Sequence, residues 1–316
     1  MSFLIEAHGY GALLATAGEP GPEFARLMEK MKPMTAKPLA SYSHEWKPLL
    51  QQLVDIPKVK PANAAPDGMT SIAAGDFVFK VEGIEIEGFN EAGVDVQYPW
   101  EDTPRRYHEH PMHIESFYMD TYPVTNAGFK KFVDDAHYHP ADDLNFLKDW
   151  TGGDYPDGWA DKPVTWVSIE DARAYAKWAG KRLPHEWEWQ YAAQGSGKGK
   201  DGRLYPWGDS WDASRVPVVD HGRTMRGPDV VSAHPTGASP DGVMDMVGNV
   251  WQWTDEYVDE HTRGGILRGG SYYQPVGSVW YFPQAYRNDQ HGKLLMMAPS
   301  YDRSGAVGFR CVKDAE

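Results

Sequence analysis

The sequence has very little cysteine, fewer basic than acidic side chains, and no long apolar run. It contains 316 residues, with one Cys, 31 Lys or Arg and 45 Asp or Glu, for a net charge of −14. A single Cys excludes an intrachain disulfide framework and a four-thiolate zinc site. The acidic balance predicts neither a nucleic-acid partner nor a membrane partner, because an anionic phosphate surface repels it.

The apolar segments are too short for a membrane span. The stretch Gly11–Ala17 is far shorter than the roughly 18 apolar residues that a transmembrane helix needs. Residues 1–6 have no basic region before their apolar side chains, so they predict no secretory signal peptide. We therefore expect a soluble protein, and the sequence leaves its compartment open.

Aromatic residues, glycine and proline are abundant. The chain has 13 Trp, 17 Tyr, 32 Gly and 24 Pro, which is typical of an ordered protein rich in loops. Helical apolar spacing predicts a helix over Pro22–Lys32, and start signals at Thr125, Ser168 and Pro184 predict three more. The strand-like segments are Ile72–Lys80 and His113–Tyr118.

Composition divides the chain into three parts. Residues 1–57 form a segment with short apolar runs, residues 58–68 are a Pro/Ala/Lys stretch that predicts a linker, and residues 69–316 predict one compact domain. Residues 3–14 resemble the last β-hairpin of the all-β domain that closes many glycoside hydrolases. This resemblance implies that residues 1–57 are the tail of another domain, with a glycoside-hydrolase domain as a partner.

Nine short strings occur in a fixed order from residue 69 onward. Together they closely resemble the formylglycine-generating enzyme family, also called sulfatase-modifying factors, over roughly residues 69–313. The resemblance implies a compact α+β fold, related to C-type-lectin-like folds, with little regular secondary structure. The strings are Met69-x-x-Ile72-x-x-Gly75-x-Phe77, His113-x-x-x-Phe117-Tyr-Met-Asp120, Pro123-Val-Thr-Asn126, Pro163-Val-x-Trp166-Val-Ser168, Lys181-Arg-Leu-Pro184-x-Glu186-x-Glu188-Trp189-x-Tyr191-Ala-Ala193, Tyr205-Pro-Trp-Gly-Asp209, Asp245-Met-Val-Gly-Asn-Val-Trp-Gln-Trp253, Leu267-Arg-Gly-Gly-Ser-Tyr272 and Gly308-Phe-Arg-Cys311.

The cysteine pair of formylglycine-generating oxidases is missing. The family resemblance implies two cysteines shortly after the Gly-Gly-Ser string, which hold copper because soft sulfur suits Cu(I). Here Gln274 stands at the first position and Val279 at the second, and the only Cys is Cys311 in the closing string. We therefore expect no copper at this position and no formylglycine production.

Histidines offer a second metal possibility. Sulfoxide synthases of the same superfamily hold non-haem iron with three histidines, two of them in a His-x-x-x-His pair that this chain lacks. The nearest substitute is the cluster of His108, His110 and His113. In an extended segment His108 and His110 face one side and His113 the other. A hydrogen-bonded surface segment is the favoured interpretation, with metal binding as the alternative.

A structural calcium site is implied by the string that begins at Asp245. In the family, side-chain oxygens of the first and last residues join two backbone carbonyls, and such hard ligands suit Ca²⁺. The matching positions are Asp245, Gly248, Val250 and Gln252. Gln252 stands where Glu is usual, which removes one charge and lowers the expected affinity.

The segment after Gly-Gly-Ser supplies the candidate ligand pocket. The resemblance places Trp251, Ser271 and Arg287 at pocket positions. Aromatic rings stack on the C–H faces of sugars, while polar groups fix hydroxyls or carboxylates. About half of the aromatic residues in this region are expected to be core. The other candidate pocket residues are Tyr272, Tyr273, Gln274, Trp280, Tyr286, Asp289, His291, Tyr301, Asp302 and Arg303.

Two functions fit these features. The favoured one is a non-catalytic binding module, a pseudoenzyme, that recognises carbohydrate or peptide. The alternative is a divergent iron- or copper-dependent oxidase with ligands such as His291, Asp289 and Asp302. An acid–base pair of Asp289 and Asp302 would instead suit a hydrolase.

Overall fold

The computed structural model shows a chain divided into two units, Met1–Pro48 and Leu49–Glu316. In the first unit, helix α1 (Pro22–Met31) is followed by a 3₁₀ turn at Lys32–Thr35, which confirms the predicted helix. The predicted hairpin segment spans residues 3–14, and its residues 3–12 lie outside the described residues. The structure describes residues 13–38, 49–84, 95–196, 202–276 and 284–316.

The second unit begins earlier than the sequence predicts. Strand β1 (Gln52–Leu53) pairs with a central strand of the main sheet. The backbone N–H of Val59 donates to the Asp314 carboxylate at 2.7 Å, and that of Ala62 donates to the Asp314 carbonyl at 3.0 Å. Because these donors are satisfied by the end of the chain, the stretch predicted as a linker belongs to the second unit. The boundary follows Pro48 rather than residue 57.

Two sheets organise the second unit. Besides β1, its strands are β2 (Met69–Ile72), β3 (Gly75–Ile84), β4 (Tyr107–Ile114), β5 (Phe117–Asp120), β6 (Trp251–Val258), β7 (Arg263–Arg268), β8 (Gln290–Met296), β9 (Val307–Gly308) and β10 (Val312–Asp314). Within the described residues, the larger sheet has the order β1-β6-β7-β8-β3-β4, with β9 paired to β6, and the smaller has the order β10-β5-β2.

The strands follow the burial pattern of their side chains. In β3, Phe77, Phe79 and Val81 alternate with more exposed residues and point into the core. Strand β6 is buried along almost its whole length because β1, β7 and β9 all pair with it. The predicted strand His113–Tyr118 is instead the end of β4 and the start of β5, separated by residues 115–116, which belong to neither strand.

The predicted helix starts are confirmed. Helix α2 (Asn126–Ala136) begins at Thr125, whose side chain accepts from the Gly128 N–H. Helix α3 (Ile169–Trp178) begins with a capping box between Ser168 and Asp171. The other helices are α4 (Glu186–Gln194) and the short α5 (Pro299–Asp302).

The unit is a mixed helix-and-strand fold with low helix content, as predicted. One apolar cluster joins β3 to α4, and a second lies among α2, α3 and the central strands. Every helix in the described parts of the chain falls short of the length and hydrophobicity that a membrane span requires.

A glycine pair turns the chain after β7 toward the candidate pocket. Gly269 and Gly270 have φ angles of +93° and +69°, which side chains disfavour. A Cβ atom on Gly269 would also overlap the carbonyl oxygen of Met246. This turn places Ser271 and the residues after it beside the Met246 loop.

Candidate functional site

Four aromatic side chains form a partly exposed surface. The Trp211 ring stacks on Tyr286 with centroids 4.8 Å apart and planes 3° apart, and Tyr205 stacks on Trp207 at 5.4 Å. Trp211 also contacts both Tyr205 and Trp207. Trp211 is 43% exposed, so part of its ring is available to a ligand. We call this surface the aromatic shelf: Tyr205, Trp207, Trp211 and Tyr286.

Charged side chains adjoin the aromatic shelf. Arg287 follows Tyr286 and pairs with Asp289, with Nε donating to Oδ1 at 2.8 Å. This carboxylate raises the pKa of Arg287 above its ordinary value. The Arg215 guanidinium lies over the Trp207 ring at 5.9 Å. Flat aromatic faces beside a guanidinium and a carboxylate are suited to a hydroxyl-rich ligand.

Other predicted pocket residues are mostly buried. Trp251, Ser271, Tyr272 and Tyr273 are all core side chains. Ser271 connects them to the aromatic shelf, because the Tyr286 hydroxyl donates to its carbonyl at 3.3 Å. Gln274 is half-exposed: its backbone N–H donates to the Asp220 carbonyl, and its own carbonyl lies 2.8 Å from His221 Nδ1. Trp280 lies outside the described residues.

The last three predicted pocket residues, 301–303, make their contacts near the start of α3 and the end of β8 rather than at the aromatic shelf. Arg303 is buried and pairs with Asp171 at the start of α3, with Nε donating at 2.9 Å. The buried Asp302 accepts from the Met297 N–H at 3.0 Å, while Tyr301 is 70% exposed. The Arg303 pair joins the end of α5 to the start of α3, and the Asp302 bond joins α5 to the residue after β8, so both have a structural explanation.

His291 belongs to a buried charged cluster rather than to the aromatic shelf. Its Nδ1 lies 2.8 Å from a carboxylate oxygen of Glu186, which also accepts from the Tyr98 hydroxyl and from Arg268. Burial lowers the pKa of His291. Burial alone would raise the pKa of Glu186, but His291 and Arg268 more than offset it and hold that pKa below its ordinary value.

Two further histidine–carboxylate pairs adjoin this cluster. His108 Nδ1 lies 2.8 Å from Glu101 Oε1, and His185 Nδ1 lies 2.7 Å from Asp255 Oδ1. Burial lowers the pKa of His185, but the charge of Asp255 outweighs burial and raises it. As predicted, His108 and His110 share a face of β4: His110 stacks on Trp100, whereas His113 pairs with the exposed Asp76.

The predicted calcium positions lie together, but one of them, Gln252, does not present oxygen as a calcium ligand would. Burial raises the pKa of Asp245 to about 7, and its carboxylate accepts from Asn249 at 2.9 Å. The Gln252 oxygen accepts from Trp189 and Arg310 at 3.0 and 2.7 Å. Its amino group donates to the carbonyls of residues 245 and 246. Gln252 therefore presents N–H groups where a cation needs oxygen, and calcium binding by Asp245, Gly248 and Val250 stays a prediction.

The side chains present do not fit the thiolate copper site of the resembling oxidases. Cys311, the single Cys of the chain, is buried, and burial raises its pKa well above the ordinary value. The chain therefore cannot supply two thiolates. Across the described ranges, no group of three or more His, Cys, Asp or Glu is arranged to hold a metal ion.

Sequence reasoning did not identify most of the aromatic shelf. Tyr205 and Trp207 were recognised only as parts of a family string, and Trp211 follows that string by two residues. Their spacing in one Gly-rich loop was a usable signal for a surface cluster. The pairing of that loop with residue 286 depends on tertiary structure.

Most of the chain matches a known protein family. The family described as "Sulfatase-modifying factor enzyme 1-like domain" matches residues 55–315. The chain is 30% identical to the formylglycine-generating enzyme of Streptomyces coelicolor, over 66% of the chain and 81% of that protein. It is 29% identical to hercynine oxygenase of Mycolicibacterium smegmatis, over 66% of the chain and 50% of that protein.

A third relative carries a different description. The chain is 30% identical to "Inactive C-alpha-formylglycine-generating enzyme 2" of Bos taurus, over 64% of the chain and 78% of that protein. The chain spans about half the length of the hercynine oxygenase and of the Bacillus subtilis protein YfmG. Relatives of the chain thus include formylglycine generators and hercynine oxygenases.

Solved structures confirm the fold. The structure of CarF covers 79% of the chain and 99% of its own, with a TM-score of 0.51 and 21% identity. PvdO from Pseudomonas aeruginosa covers 78% of the chain and 94% of its own, with a TM-score of 0.51 and 18% identity. At this identity the likeness concerns the fold alone.

Proposed function

Because the chain belongs to the sulfatase-modifying-factor-like family, yet has only one Cys, we propose that it is a non-catalytic member that binds carbohydrate. The observation that carries the proposal is the partly exposed aromatic shelf. A relative described as inactive supports a family role without oxidation. Family membership itself does not fix the activity, since one fold hosts many functions.

The aromatic shelf offers the two kinds of contact that a sugar needs. The Trp211 ring has one face stacked on Tyr286 and keeps 43% of its surface exposed. A sugar ring placed on the exposed part buries its C–H face on an aromatic surface. Arg287 and Asp289, which pair with each other next to Tyr286 in the chain, are the groups proposed to bind its hydroxyls.

A glycan array tests this proposal. Labelled protein is expected to bind a limited set of glycans, and Trp211→Ala is expected to weaken that binding by roughly tenfold or more, because a central aromatic anchor is lost. Trp178→Ala is the matched control, because Trp178 is similarly exposed at 36% but lies on α3. Equal glycan binding by Trp211→Ala and the wild type would overturn the proposal.

A metal-dependent oxidase is the second candidate. It is favoured by the hercynine oxygenase relatives and by the buried imidazoles of His108 and His291. The chain's own residues hold these two rings by carboxylates, as described above. Oxygen uptake with an added thiol substrate distinguishes the two functions, because only the oxidase consumes oxygen.

A further inference from the structure

Two buried histidines face the same space across strand β3. His108 on β4 is paired with Val81, and His291 on β8 is paired with Gly83. Residues 81 and 83 point to the same side of the sheet, and Gly83 has no side chain to fill the gap. The two imidazole centroids are 6.2 Å apart, and both side chains are fully buried.

Carboxylates define which nitrogen of each ring carries the proton. His108 Nδ1 contacts Glu101 and His291 Nδ1 contacts Glu186, each at 2.8 Å. An ionised carboxylate only accepts hydrogen bonds, so Nδ1 is the donor and Nε2 of the neutral ring holds a lone pair. The same carboxylate–imidazole arrangement orients histidine ligands in metal sites.

Both lone pairs are left without a partner. Among the described residues, neither His108 Nε2 nor His291 Nε2 has a hydrogen-bond partner, although both atoms are buried. The buried hydroxyl of Tyr257 in the adjoining cluster is also unpartnered. A buried polar atom without a partner is unfavourable because its lost hydration is not replaced, so two such nitrogens on neighbouring rings point to a bound group.

We propose that His108 and His291 bind one transition-metal ion through their Nε2 atoms, with Cu⁺ as the favoured occupant and Zn²⁺ as the second. Imidazole nitrogen suits both ions. Two imidazoles that share an ion at about 2 Å per bond have ring centres roughly 5 to 6.5 Å apart, which includes the observed 6.2 Å. With no third protein ligand of the usual types in the described ranges, an ion that accepts two nearly collinear nitrogens fits best.

The surroundings favour a cation with a structural role. Glu101 and Glu186 pair with the two rings and add negative charge to the site, which Arg268 offsets in part at Glu186. Because the rings are closed off from solvent, the ion meets no substrate and instead joins β4 to β8 across β3. The site is independent of the thiolate pair that the sequence excludes, and it does not rest on carbohydrate binding.

Metal analysis of the full chain tests the proposal. The protein is refolded with Cu⁺ under reducing conditions, or with Zn²⁺, then gel-filtered and measured by elemental mass spectrometry. The wild type is expected to retain near one ion per chain. His108→Gln and His291→Gln are expected to fall to background, because Gln keeps an N–H donor for the carboxylate but lacks the imidazole nitrogen.

His113→Gln is the matched control, since His113 lies on the same strand and also pairs with a carboxylate, but is half-exposed. It should retain the wild-type metal content. Wild-type protein that binds neither ion would overturn the proposal and indicate that a water molecule pairs the two nitrogens. Variants of His108 and His291 that keep the wild-type metal content would also overturn the proposal.

If the variants fail to fold, X-ray absorption at the metal edge of the loaded wild-type protein identifies the metal's ligands instead. The expected spectrum shows scattering from two imidazoles. A shell of oxygen or sulfur ligands alone would contradict the proposal. Glycan binding by His291→Gln, where it folds, is expected to equal that of the wild type, which separates this proposal from the function of the aromatic shelf.

Discussion

Buried polar side chains in this protein are oriented by partners that can only donate, or only accept, a hydrogen bond. The Gln252 oxygen faces an indole N–H and a guanidinium N–H, both donors only, so the amide cannot be flipped. Its amino group must then face the carbonyls of residues 245 and 246. Gln252 thus presents an N–H donor at the position where the family resemblance implies the side-chain oxygen of a Glu.

The change Gln252→Glu is expected to create calcium-dependent stability. Without calcium the new carboxylate oxygen faces two carbonyls, and we expect a loss of about 1–3 kcal/mol in unfolding free energy. Calcium at a hundred times its Kd should restore about 2.7 kcal/mol. Thermal unfolding with calcium, and with magnesium as the control ion, measures this. An equal response of wild type and variant to calcium would contradict it.

Asp314 stabilises the folded state through its negative charge. It accepts from Arg182 at 2.8 Å and from the Val59 N–H at 2.7 Å. Burial alone would raise its pKa, but Arg182 outweighs burial and lowers it. A carboxyl whose folded pKa is depressed contributes stability above its unfolded pKa, and that stability is lost as pH falls through the folded pKa.

Asp314→Asn is therefore expected to cost about 1–3 kcal/mol at pH 7, and progressively less as the pH falls from the unfolded pKa of about 4 through the lower folded pKa. Urea unfolding of both proteins at pH 7 and at acidic pH measures the difference. Asp157→Asn, a change at an exposed position, should show little effect at either pH. A cost for Asp314→Asn that does not change with pH would refute the role of the charge.

At the scale of elements, helix starts were predictable and strand ends were not. Ser168 and Thr125 sit at helix starts because their side chains satisfy backbone N–H groups that the first turn leaves unpaired. That information is local. The break at residues 115–116 divides β4 from β5 because the two strands pair with different partners, β3 and β2. The local sequence does not specify which strand each segment pairs with.

Ser168→Ala is expected to destabilise the fold by about 1 kcal/mol, because the Asp171 N–H loses its acceptor at 3.2 Å in a buried capping box. Chemical denaturation at neutral pH measures the change. Ser232→Ala, at an exposed position, is the control and should change stability by less than about 0.5 kcal/mol. Equal stability of Ser168→Ala and wild type would show that the cap contributes nothing.

At the scale of the whole molecule, the family strings predicted the fold but not the grouping of functional residues. Residues close in sequence are separated in the structure: Tyr286 joins the aromatic shelf, His291 the charged cluster and Arg303 the start of α3. Conversely, the aromatic shelf joins a loop near residue 207 to Tyr286. Neither outcome can be read from spacing, because both depend on where β8 and α5 pack.

The central claim is that this domain binds a ligand without oxidising it. Oxygen uptake, together with mass spectrometry of a cysteine-containing peptide incubated with the purified chain and copper, tests it most directly. We expect no oxygen consumption above that of copper alone and no aldehyde product, because a single buried Cys311 cannot replace a thiolate pair. Enzyme-dependent conversion of the cysteine to an aldehyde would contradict it.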